Sequence, residues 1–135
     1  MPEIFKPSDF VVAKADIPVV SMGPYRAQWA EWAGHALAFE VVPGGFPPGG
    51  EVAWKGLPED LCQCPHWGYL LRGKALLRLS DGRELEINEG DVYYCPPGHK
   101  LYAIEDFENI EWNPAPEAQK TMEAFAKNIA EHAAG

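Results

Sequence analysis

Positive charge is scarce in this sequence: 11 Lys and Arg stand against 20 Asp and Glu, giving a formal net charge of -9. A surface of that sign repels phosphate backbones and anionic headgroups, so nucleic acid and membrane are not expected partners. Long apolar runs are missing as well, and no stretch approaches the roughly 18 apolar residues that cross a bilayer. The opening MPEIFKPSDF has neither a basic start nor an apolar run, so no secretory signal is expected and the expected compartment is the cytoplasm. Cysteine is rare too, with 3 in the chain. An odd, small number in a cytosolic setting argues against a disulfide framework. Cys62 and Cys64 are too close in sequence to bridge easily in an extended segment, so their thiols read as ligands or as packing.

What is abundant is punctuation. The 13 Gly and 13 Pro fall between short apolar runs, a pattern of many turns and short strands. At 135 residues the chain suits one domain spanning 1–135, with a hydrophobic core. Residues 1–24 read as an N-terminal arm with room for one edge strand. Tyr25–Trp32 and His35–Val42 read as a hairpin across Ala33-Gly34. Pro43–Gly50 must be a loop, because Pro lacks a donor and Gly resists ordering. Four strands follow at His66–Arg72, Lys74–Leu79, Arg83–Ile87 and Asp91–Cys95, then runs at 99–104 and 107–112. In the third of these, Leu85 and Ile87 share one face, Glu84 and Glu86 the other. The barrel therefore spans 25–112. Beyond it, 117–134 lacks Gly and Pro and repeats Met122, Phe125 and Ile129 at helical spacing, so a C-terminal helix is expected with Asn113 as its cap.

Two segments carry a family resemblance. His66-Trp67-Gly68-Tyr69-Leu70-Leu71-Arg72-Gly73, and Gly90-Asp91-Val92-Tyr93-Tyr94-Cys95-Pro96-Pro97-Gly98-His99 after the Ser80-Asp81-Gly82 turn, resemble the barrel of the cupin superfamily. The resemblance covers roughly residues 60–112 and implies an all-β, cupin-type β-barrel (jelly roll) with the C-terminal α-helix appended. Many metal-binding members carry His-x-His, a Glu three residues before the strand-end aromatic, and a last His three residues after the turn Gly. Here those last two positions hold His66 and Leu101, and Cys62 and Cys64 stand near the upstream pair. Activities that depend on the usual ligands are therefore not carried over. What remains is similar to a divergent branch with a Cys-x-Cys-Pro-His-Trp-Gly signature.

The residues make a metal case of their own. In an extended segment 62, 64 and 66 share a face, and His99 follows a turn on a neighbouring strand. Cys62, Cys64, His66 and His99 are thus the candidate ligands of a divalent ion, zinc by ligand type, with iron or nickel as alternatives. Four ligands would make the site structural; three would leave a position for substrate. The plainer reading is that Cys62 and Cys64 are reduced packing residues, as Cys95 is expected to be. Trp67, Tyr69, Tyr94 and Tyr102 are expected in the core and pocket wall. Glu105 and Asp106 fit a solvated turn rather than a catalytic pair. Three functions remain open: a metal-binding cupin, a metalloenzyme (dioxygenase, isomerase or hydrolase), or a metal-free barrel for a small molecule. Catalytic residues are not identified by the sequence. Trp29, Trp32 and Trp54, outside the motif region, suggest aromatic surface and hence a homodimer.

Overall fold

Glycine sets the corners of this chain. Gly73, between two consecutive strands, has φ +92°, and a Cβ there would lie 2.0 Å from the Asp106 carbonyl oxygen. Only glycine allows that turn and that approach together. In the computed structural model, which describes residues 3–135, nine strands and one α-helix follow. They are β1 (Val19–Met22), β2 (Tyr25–Trp32), β3 (His35–Val42), β4 (His66–Arg72), β5 (Lys74–Leu79), β6 (Glu84–Asn88), β7 (Val92–Cys95), β8 (His99–Ala103), β9 (Phe107–Pro114) and α1 (Ala115–Ala134). Three short 3-10 turns, at Lys14–Asp16, Gly50–Trp54 and Pro58–Asp60, interrupt the loops.

The strands form two antiparallel sheets, one ordered β1-β2-β3-β9-β4-β7 and one ordered β6-β5-β8. The β2-β3 hairpin turns at Ala33 and Gly34, both at positive φ, as a two-residue turn between strands requires. Each strand presents alternate residues to the space between the sheets. From the small sheet come Ala75, Leu77, Ile87 and Ala103, all buried. Leu85, placed on the Ile87 face by alternation, is half-exposed because it sits towards the end of the sheet.

The helix closes one side of the barrel. Met122 and Ile129 are buried, and Phe125 packs edge-on at 5.6 Å from Trp54, which is fully buried and also meets Tyr102 at 5.3 Å. Asn128, one turn on, donates to the carbonyls of Ala53 and Lys55 at 3.0 and 2.9 Å, tying α1 to the second 3-10 turn.

Three expectations need correction. Asn113 does not cap α1: it is an inward-facing residue of β9, fully buried, and Pro114 stands at the cap position. Trp29 and Trp54 are core residues, exposed by 4% and 1%, so they supply no interface. Conversely Trp67, Tyr69 and Tyr94 lie outside the core, each exposed by 40% or more. Parity is the cause. Once His66 and Leu70 of β4 point inward, Trp67 and Tyr69 must point out.

Candidate metal centre

The centre is assembled by main chain before any side chain acts. Gly98, at φ +86°, ends the Pro96-Pro97-Gly98 turn and starts β8 at His99. Cys62 lies outside the regular strands, yet it is pinned to His99 by an isolated antiparallel bridge. Its N–H donates to the His99 carbonyl at 2.9 Å, and its own carbonyl accepts from Gly98 and His99 at 2.8 and 3.1 Å. From β4, His66 projects inward beside them. The Sγ of Cys62 and one ring nitrogen each of His66 and His99 all lie within 4.8 Å of one another.

Both imidazoles are oriented from behind. His99 Nδ1 is 2.6 Å from the Pro96 carbonyl oxygen, which can only accept, so Nδ1 carries the proton. His66 Nδ1 faces the Asn113 amide oxygen, with Glu111 Oε1 at 3.6 Å, both acceptors. Asn113 is held in that sense because its nitrogen donates to the Ala36 carbonyl at 3.3 Å. The Nε2 atoms are left to turn inward, and that of His66 is 3.6 Å from Cys62 Sγ. The two rings meet edge-on with centroids 4.9 Å apart. Partners behind the ring that fix tautomer and direction are what histidine ligands need.

Electrostatics follow the same geometry. Burial pushes the Cys62 thiol up, but hydrogen bonds and charge from His66 and His99 outweigh it and bring it down to about 6. For His66 burial disfavours the cation, yet Glu111 and the two thiols hold it well above its ordinary value. Cys62 and His66 thus approach a thiolate–imidazolium pair, in which a metal ion can replace the proton. Cys64 is buried but is not one of the trio. Its Sγ lies 3.5 Å from the Pro65 carbonyl oxygen, and burial raises its pKa against the pull of His66. Cys95, across the ladder from His66, is pushed far up by burial, as expected of packing.

Behind the trio runs a polar row that sequence reasoning missed. Tyr93 donates to Glu111 Oε2 at 2.5 Å; Asn109 donates to Tyr93 Oη at 2.8 Å and to Glu40 Oε1 at 3.1 Å; and the Tyr25 hydroxyl is hydrogen-bonded to the other Glu40 oxygen. Small neighbours make room for it. Ala38 and Gly68 flank Glu111 in the ladder, and Ala36 flanks Asn113. Burial, helped by the Glu111 charge, raises the Glu40 carboxyl to about 8, so at neutral pH it is largely protonated. The available signal was the alternation of Asn109, Glu111 and Asn113 along β9, which looks like an outward polar face.

The trio opens onto a cavity of about 80 Å³. Glu40 and Glu111 line it, Tyr25, Trp54 and Phe46 wall it, and Met122 and Phe125 of α1 cover it; none of its lining residues is Lys or Arg. These two antiparallel sheets, closed around an interior cavity, define the cupin fold. Solved structures agree. An RmlC-like cupin from Shewanella frigidimarina shares the fold at TM-score 0.60 and 13% identity, over 82% of this chain and 96% of that one. Ectoine synthase from P. lautus matches at TM-score 0.60 and 13% identity, over 85% and 86% of the two chains. An iron(II) form of HppE matches at TM-score 0.57 and 11% identity, over 78% and 60%. No family model matches the sequence. No curated protein shows significant sequence similarity.

Proposed function

We propose that this protein is a metal-binding cupin in which Cys62, His66 and His99 hold one divalent ion at the end of the cavity. The observation that supports it is the convergence of three donors within 4.8 Å while both histidines are anchored through Nδ1. A thiolate with two imidazoles suits zinc, and iron stands beside it because one structural neighbour is an iron(II) protein. Cys64 stays in reserve as a fourth donor next to His66. With three ligands the ion keeps a position facing the cavity, which favours a metalloenzyme acting on a small molecule over a purely structural site. A bound ion would supply Lewis acidity there. The chain's own part is to exclude water with Trp54 and α1, to orient His66 through Asn113 and Glu111, and to hold a proton on Glu40 at the cavity wall. We read residues 1–135 as one domain, cytoplasmic in keeping with three free thiols, and homodimeric.

Elemental analysis of the purified protein tests this directly. A single zinc or iron per chain is expected, with absorption spectroscopy giving one sulfur and two nitrogen ligands at about 2.3 and 2.0–2.1 Å for zinc. Cys62→Ser, His66→Ala and His99→Ala should each lose the ion, and Cys64→Ser should keep it. Loss in Cys64→Ser would establish the four-ligand site instead. Wild-type protein that stays metal-free when offered zinc and iron would leave the metal-free binding barrel as the better reading.

A further inference from the structure

The outer face of the large sheet is apolar where a charged surface is expected. In one row across the strands Leu37, Trp112, Trp67 and Tyr94 lie side by side; in the next come Phe39, Ile110, Tyr69 and Val92. Trp67 and Tyr94 pack ring against ring at 5.3 Å. Yet Trp67 is 48% exposed, Trp112 50%, Tyr94 48%, Tyr69 40% and Val92 81%. None of the chain's 20 carboxylates falls in either row. Glu108, two residues before Ile110 on β9, sits at the rim in an ion pair with Arg72 at 3.0 Å.

We propose that this face, centred on Trp67 and Trp112, is the surface through which two copies of the chain associate, sheet against sheet about a two-fold axis. The proposal rests on the homodimer reading above and adds to it the location. Area is the first support. Aromatic side chains bury about 150–250 Å² each, so the four half-exposed rings with Val92 and Leu71 present on the order of 500–600 Å². That is the upper end of the roughly 300–600 Å² patch a typical monomer leaves open. The partly exposed Leu37 and Ile110 extend it towards the roughly 800 Å² that each partner contributes to a standard interface, while Lys14 lies over the Phe39 ring at 5.4 Å and bounds the patch there. Charge is the second support. Two copies each carrying -9 repel wherever their carboxylates meet, and these two rows hold none, Glu108 at their rim being paired with Arg72. A face that meets its own copy needs only self-complementarity, and aromatic rings on both copies can pack on one another. The occupant is therefore a second copy.

Sedimentation velocity over a range of micromolar concentrations tests both the state and the face. Wild type should sediment at twice the chain mass. Trp67→Glu, and Trp112→Glu separately, should sediment as monomers with unchanged circular dichroism and metal content. Ile104→Glu, half-exposed just beyond β8 of the opposite sheet, should remain dimeric. Should either charge substitution impair folding, Trp67→Ala decides, with a dimer dissociation constant expected to rise at least tenfold. A monomeric wild type would overturn the homodimer reading and this face with it. A dimeric wild type whose dissociation constant is unmoved by Trp67→Ala or Trp67→Glu would leave the dimer standing and overturn the face alone.

Discussion

Tyr93 lies across Gly68 so closely that a Cβ at position 68 would stand 2.2 Å from its ring carbon Cζ. The missing side chain of one strand is the seat of the phenol from the next, and that phenol holds Glu111, which stands behind His66. A backbone position without chemistry of its own thus governs how the histidine is supported.

Gly68→Ala is accordingly expected to push Tyr93 off Glu111. Overpacking of this kind costs about 1–3 kcal/mol, readable by chemical denaturation. Metal affinity should fall with it, because partners behind a ligand are worth about 10–100-fold. An alanine variant with wild-type stability and affinity would show that Tyr93 has another seat.

The protonated Glu40 makes stability depend on pH. Its carboxyl titrates near 8 in the fold, against 4.5 ordinarily. Between those values the folded chain keeps a proton that the unfolded chain has released. This contribution is therefore full below pH 4.5 and is lost as pH rises through 8. Glu40→Gln, which cannot ionise, should flatten the decline and be the more stable form at pH 9. Thermal melts from pH 5 to 9 on both proteins would reveal it; parallel curves would sink the assignment.

Removal of the ion should be felt by the whole barrel. Cys62 and His99 join a loop to β8, and His66 belongs to β4 in the other sheet, so an ion would cross-link segments far apart in sequence. Metal at one hundred times its dissociation constant adds about 2.7 kcal/mol. A chelator should then lower the melting temperature by on the order of 10 °C for a domain of this size. His99→Ala should melt at the lower temperature with or without chelator.

The attachment of α1 rests on a buried amide. Asn128→Ala leaves the Ala53 and Lys55 carbonyls without their donor, a loss of about 1–3 kcal/mol in global stability. Hydrogen exchange should rise first in the helix and in Gly50–Trp54. Equal protection in mutant and wild type would mean that apolar contacts alone fix the helix.

The strand segments along the chain and the helix were determined by the sequence itself, because turn chemistry and side-chain period act within a few residues. Their order in the sheets came from long-range pairing. Asp81-Gly82, Gly90 and Pro96-Pro97-Gly98 end strands wherever they occur, and Met122, Phe125 and Ile129 mark a helical face in any context. The family resemblance lay in those same corners. Which side of each strand turns inward was decided only by the tertiary structure. Along β9 the apolar residues Ile110 and Trp112 alternate with Asn109, Glu111 and Asn113, and alternation alone assigns the polar row to water. It goes inside because β4 and β7 bring His66 and Tyr93 to meet it, and because Ala36, Ala38 and Gly68 leave it space. The same inversion sends Trp67 and Trp112 outward. Cys62 and His99 were legible as donors. Their adjacency came from a backbone bridge between residues 37 positions apart (99 less 62), and no local pattern encodes such a bridge. Hydrogen-bond satisfaction across strands, a long-range condition, selects the face that periodicity leaves open.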